Sequence, residues 1–247
     1  MEIPFDDTGI TILVGGLGCG KTELSANLAF CMAKKYNDLI HIIDLDNIKP
    51  YFKIRNLDEK YRISKQEEKV LEAWDEFYKM IDLRVIGFPI WADYFDGHMD
   101  ADFPDWKKQF VEKNHALYIL YKSSIDRWLK KWKVYETFTP TQRKMEWQAG
   151  ESINTLWEGF IQFRPSGVRV KAPTCFPALV ALVQVPIVGK YKRRLTIREA
   201  ARLQSFPDSF IPDKNDHQAY KQFGNAVNVN VIKFVAQKLF DLKEDLK

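Results

Sequence analysis

The spacing of apolar positions changes several times along the chain. Ile10 to Val14 is a continuous apolar run of strand length that ends in a glycine-rich turn. Leu24, Leu28, Ala29 and Met32 then fall on one face at helical spacing, and Leu39 to Ile43 forms a second apolar run, closed by Asp44-Leu45-Asp46. Strand, helix and strand over about 35 residues predict a right-handed βαβ unit. The stretch from Arg55 to Lys69 turns strongly charged, which places a domain boundary near residue 60.

Past that boundary, Val70, Leu71, Trp74, Phe77, Tyr78 and Ile81 share one face and predict an amphipathic helix. Arg84 to Asp102 mixes glycine, proline and aromatics and reads as strand and loop. Trp106, Phe110, Leu117, Tyr121, Ile125, Trp128 and Trp132 step by three, four or seven. That spacing predicts one long helix from Asp105 to Trp132, with the aromatic stripe in the core. Gly159 to Phe163, Val168 to Val170 and Ala178 to Val185 read as strands, punctuated by Pro165, Gly167, Pro173, Pro177 and Pro186. Thr196-Ile197-Arg198-Glu199 has the form of a capping box and starts a short helix. A last helix is expected from Ala226, burying Val231, Phe234, Val235 and Leu239.

Composition narrows this picture. In 247 residues, 46% are hydrophobic and 28% charged, which suits a packed core and excludes global disorder. The formal net charge is only +4, so a nucleic-acid partner has to be met by a local basic patch. Cys19, Cys31 and Cys175 lack metal-ligand spacing, no apolar run is long enough for a membrane span, and the start has no signal-peptide pattern. The expectation is a cytoplasmic protein without a membrane partner.

Two stretches carry candidate chemistry. Gly15-Gly16-Leu17-Gly18-Cys19-Gly20-Lys21-Thr22 satisfies the phosphate-loop pattern. Gly15, Gly18 and Gly20 let the backbone curl its N–H groups toward phosphate oxygens. Lys21 is placed to reach the β- and γ-phosphates of ATP, and Thr22 to ligand Mg²⁺. Cys19 reads as a small residue of that loop. The second stretch is basic: Lys190, Lys192, Arg193, Arg194, Arg198 and Arg202 cluster around Tyr191, while Arg164, Arg169 and Lys171 surround a Pro-Ser-Gly turn. Such cations suit DNA phosphates. The opposite reading is a solvated face with some arginines held in ion pairs, Arg198 and Arg202 being one helical turn apart.

Residues 1–56 resemble the start of bacterial phosphate-loop ATP-binding proteins related to partition ATPases, through Gly20 to Asn27 and through Asp44-Leu45-Asp46 with Asn47, Pro50, Tyr51 and Phe52. Gly16 replaces the early lysine of many partition ATPases, and no third strand with a Walker B acid follows. From Ile63 onward the chain resembles the C-terminal part of DNA cytosine-5 methyltransferases. The phrases are Glu68 to Trp74, Val85 to Trp91, Pro104 to Lys107, Arg143 to Ala149 and Gln162 to Lys171, then Leu195 to Pro207 and Tyr220 to Val227. The resemblance implies an α/β phosphate-loop βαβ unit over 1–60, followed over 61–247 by an α+β region like a methyltransferase small domain, both parts incomplete. Within the second, 84–192 would recognise double-stranded DNA and 193–247 would carry the two final motifs.

The resemblance also implies that Asn225, Ala226 and Val227 close the S-adenosylmethionine pocket. From the residues alone, Gly224-Asn225 reads equally as a helix cap. The family attacks a flipped cytosine with a cysteine from a Pro-Cys dipeptide, helped by a Glu-Asn-Val glutamate. Neither phrase occurs in the sequence, nor does the Phe-x-Gly-x-Gly cofactor loop. No residue is therefore assigned as catalytic. Three expectations stay open: a methyltransferase fragment, a split enzyme completed by a separate chain with the large domain, or an ATP-binding protein with a DNA-binding module.

Overall fold

The computed structural model describes residues 58–81, 87–174, 176–177, 179 and 184–245. All belong to the second of the chain's two units, Leu45–Lys247. The phosphate loop with Gly15, Gly18, Gly20, Lys21 and Thr22, both N-terminal strands, Cys175 and most of the strand expected at 178–185 lie outside the described residues.

The helices are α1 (Lys65–Met80), α2 (Asp105–Leu120), α3 (Lys122–Trp132), α4 (Val134–Thr137), α5 (Ile197–Leu203), α6 (Asp216–Asn225) and α7 (Val229–Asp245). The strands are β1 (Ile90–Trp91), β2 (Lys144–Gln148), β3 (Phe160–Arg164), β4 (Gly167–Lys171), β5 (Ile187–Val188) and β6 (Arg193–Arg194). They form one sheet in the order β1-β2-β4-β3-β5-β6, antiparallel except for the β2–β4 pair. Here the amphipathic patterns hold. The first helix starts where Ser64 caps Glu67 N–H and the Glu67 carboxylate returns to Ser64 N–H.

β3 and β4 make a hairpin around Pro165-Ser166, with Arg164 opposite Gly167. Gly167 has φ +127°, and a Cβ there would lie 2.6 Å from the Lys144 carbonyl oxygen. Only glycine allows β2 to approach this corner so closely. The same hairpin fixes two faces. Along β3, Ile161 points into one core with Met145, Val168 and Val170, while its neighbour Phe160 points into another with Val188, Leu195, Ala200 and Phe223.

The first core is aromatic. α1 places Trp74 and Phe77 against Trp128 of α3, with ring centroids 5.1 and 4.8 Å from it. Burying an indole requires a partner for its N–H. Trp74 Nε1 donates to the Gln142 carbonyl at 2.8 Å, and Trp128 Nε1 to the Ala73 carbonyl at 2.7 Å.

Two element expectations are corrected. The helix predicted over 105–132 breaks at Tyr121, whose φ of −113° and ψ of 25° leave the helical range. The break lets α2 pack on β1 while α3 packs on α1. Fully buried Asn114 pins α2 to β1: its Oδ1 accepts Trp91 N–H at 2.8 Å, and its Nδ2 donates to the Pro89 and Phe110 carbonyls. Trp106, expected in the core, is exposed, because it precedes the part of α2 that faces the sheet. The second correction concerns α7. It begins at Val229 rather than Ala226, and Val231, Phe234 and Val235 are exposed rather than buried.

Candidate functional site

The two final motifs are joined by a polar latch. Gln204, at the end of α5, donates from Nε2 to the Phe223 carbonyl at 3.0 Å and accepts Val229 N–H on its own carbonyl at 3.0 Å. Asn228 donates from Nδ2 to the Leu203 carbonyl, accepts from Ser205 Oγ, and caps α7 by accepting Asn230 and Val231 N–H. The cap expected at Gly224-Asn225 is therefore supplied by Asn228, and Asn225 is the last residue of α6. This leaves Asn225 and Val227 exposed and Ala226 half-buried, on the turn that leads into α7. Tyr220 holds the same corner from below, donating to the Leu195 carbonyl at 2.5 Å, and burial pushes its phenol well above the usual range.

The basic cluster divides into cations spent inside the fold and cations left over. Arg193 is 4% exposed and grips Glu199 with two hydrogen bonds, 2.8 Å from Nη1 and 2.7 Å from Nη2. Glu199 also accepts Thr196 N–H at 2.8 Å, so one buried carboxylate closes the capping box of α5 and neutralises the arginine. Arg194 pairs with Glu67 of α1. Burial acts against the Glu67 carboxylate, but hydrogen bonds from Arg194 and Ser64 outweigh it and hold its pKa below the ordinary value. Lys192 reaches Glu68 at 2.7 Å and Glu72 at 3.6 Å, and the Glu68 contact raises its pKa. The acidic face of α1 thus occupies two cations assigned to DNA from the sequence, and Arg193 is an interior residue. Arg202 pairs with Asp208, the ion-pair alternative, while Arg198 donates to the neutral Phe210 carbonyl.

The polar face of the hairpin is less consumed. Glu146, Arg169 and Gln162 lie in one row across β2, β4 and β3. Arg169 Nε and Nη2 both donate to Glu146 Oε2, at 2.8 and 2.6 Å. Arg164 makes no ion pair among the described residues. Burial, then the neighbouring Arg169 charge, lowers its pKa from the ordinary guanidinium value. Lys171 on the same face and exposed Lys190 on the turn after β5 likewise make no ion pair among the described residues. The structure therefore brings Arg164, Arg169 and Lys171 onto one surface and separates them from the braced set at 192–194.

Sequence reasoning missed Glu67, Glu68 and Glu72, which lie more than 100 residues before the cations they neutralise. It placed Gln204 within the final motifs without a role, and it missed Asn228 just beyond them. Among the described residues no cluster of histidine, cysteine, aspartate or glutamate could hold a metal ion, and no helix is long and apolar enough to cross a membrane.

A family model for C-5 cytosine-specific DNA methylase matches residues 32–241. The chain belongs to this family. The match starts upstream of the boundary expected near residue 60. The Type II methyltransferase M.AluI of Cellulosimicrobium cellulans is 39% identical over 142 residues, covering 57% of this chain and 27% of that protein. M.BanI of Aneurinibacillus aneurinilyticus is 58% identical over 87 residues, 35% of this chain and 19% of the relative. M1.ScrFI of Lactococcus lactis subsp. cremoris is 50% identical over 59 residues, 24% and 15% respectively. The chain thus spans about a quarter or less of the length of these methyltransferases. No solved structure matches it.

Members of this family take the methyl group from S-adenosylmethionine. On the turn that the resemblance assigns to that site, Asn225 and Val227 are exposed and Ala226 is half-buried.

Proposed function

We propose that this chain is the target-recognition and pocket-closing portion of a cytosine-5 DNA methyltransferase of a restriction-modification type. The groups that make and break bonds are supplied from outside these 247 residues. The exposed apolar side chains of α7 carry the proposal. Ile232 is 52% exposed, Val235 43% and Phe240 66%, on a helix whose start is firmly latched to the two final motifs. A patch of this kind marks a surface built to be covered. Covering it with the large half of the enzyme would bring that half beside Asn225, Ala226 and Val227, which then close the S-adenosylmethionine pocket. The cofactor supplies the methyl group, and this chain holds DNA and one wall of the site. Nucleotide at Gly15, Gly18, Gly20, Lys21 and Thr22 has no part in this scheme.

Double-stranded DNA is received on the polar hairpin face through Arg164, Arg169 and Lys171, with Lys190 at its edge. Arginine is suited to base-edge and phosphate contacts through its fork of donors. Glu146 holds Arg169 in one orientation, so less freedom is lost when DNA arrives. Arg193 and Arg194, paired with Glu199 and Glu67, serve as the brace behind this surface, and exposed Lys192 is held at its edge by Glu68 and Glu72.

Arg164→Gln tests the DNA arm. It is expected to weaken duplex binding about tenfold, the order of one good arginine contact. Fluorescence anisotropy of a labelled duplex reads the change, and thermal unfolding should stay within about 1 °C because a side chain without an ion pair is replaced. An unchanged affinity would remove the hairpin face from the interface.

A further inference from the structure

A further group of cations without ion pairs among the described residues lies on α3, outside both motifs. Between Lys122 and Thr137, the chain carries Lys122, Arg127, Lys130, Lys131 and Lys133 against only Asp126 and Glu136. Lys122 is spent on Asp126 at 2.6 Å, and Lys131 on Glu76 at 2.5 Å. Arg127, Lys130 and Lys133 are exposed and make no ion pair among the described residues. Their placement follows from how α3 is built. Ile125 and Trp128 are buried against α1, so the positions between and beyond them turn outward. Lys133 ends the helix in the left-handed conformation, with φ 50°. The three cations are spread over seven residues, six steps or about 9 Å of helix axis.

We propose that Arg127, Lys130 and Lys133 form a sequence-independent contact for the phosphate backbone of duplex DNA, separate from the hairpin face. Charge complementarity selects this occupant. The duplex carries one negative charge per about 1.7 Å of axis, so a 9 Å row of cations spans several phosphates. A protein partner is disfavoured because such interfaces centre on buried aromatic or aliphatic anchors and are depleted of lysine. No large apolar side chain is exposed between residues 122 and 134, and the exposed Ile119, Leu120 and Tyr135 flank the stripe rather than interrupt it. Family membership supplies the substrate class, and the inference rests on the proposed DNA-binding role.

The triple variant Arg127→Gln, Lys130→Gln, Lys133→Gln in the full chain tests this surface. Binding is measured against two duplexes of equal length and unrelated sequence, over a range of salt. Loss of two to three phosphate contacts should lower the slope of log affinity against log salt by about 2 to 3 for both duplexes. The preference between them should stay the same. Equal slopes in variant and parent would overturn the proposal. So would an equal loss of binding to a polyglutamate chain with undiminished DNA affinity, which would assign the stripe to an acidic protein. Arg164→Gln run alongside separates the two readings. If Arg164→Gln has no effect while the triple variant lowers the slope, the hairpin reading fails and this one stands. The reverse result rejects the α3 stripe alone.

Discussion

Glu199→Ala should be the most destabilising single change in the C-terminal region. Glu199 is fully buried, accepts both terminal nitrogens of Arg193, and caps Thr196 N–H. Removing it leaves a guanidinium that is 4% exposed without a counter-charge. Breaking a buried pair from one side costs about 3–5 kcal/mol, and the cap adds about 1 kcal/mol. For a protein of this size, that lowers the melting temperature by about 10 °C. Glu199→Gln keeps an acceptor for Thr196 but not the charge, so it should fall between the parent and the alanine variant. Calorimetry of the three proteins checks the order. A shift below about 2 °C for Glu199→Ala would mean that Arg193 finds water or another partner, and that the brace reading of Arg193 is wrong.

The second large effect concerns the apolar face of α7. Ile232→Asp with Val235→Asp puts two carboxylates on positions that are 52% and 43% exposed. In the isolated chain, little should change, since surface substitutions usually fall within about 0.5 kcal/mol. In a mixture with the large half of a related cytosine-5 methyltransferase, both carboxylates would have to be desolvated at the junction. Each unpaired buried charge costs several kcal/mol, enough to reduce association by at least about a thousandfold. Co-purification should be lost, while duplex binding by the hairpin face persists. Retained co-purification would place the junction elsewhere on the molecule.

How legible the protein was depends on the range over which each feature is determined. The capping box at Thr196–Glu199 and the helix through Val70 and Trp74 are local, and their periodicity or spacing alone specifies them. The break at Tyr121 is not local. It answers the need of Ile125 and Trp128 to meet α1 while Asn114 meets β1, and neither partner lies nearby in the sequence. The basic cluster shows the same limit at the candidate site. Arginines and lysines at 190–194 read alike in the sequence, yet Glu67 and Glu68 claim two of them and Glu199 a third. Sign and density of charge could be read directly, but compensation could not, because it depends on which helix crosses the strand. The final helix erred in the other direction. Its apolar pattern reads as a face to be buried, yet Val231, Phe234 and Val235 are exposed.

The central claim is that this chain completes a methyltransferase rather than acting by itself. The most direct measurement is transfer of labelled methyl from S-adenosylmethionine to duplex DNA. It would be run with this chain alone, with the large half of a related enzyme alone, and with both together. The account predicts incorporation only in the mixture. It also predicts that the product is 5-methylcytosine and that Ile232→Asp with Val235→Asp abolishes the signal. Incorporation by this chain alone, or a mixture as inactive as its parts, would contradict it.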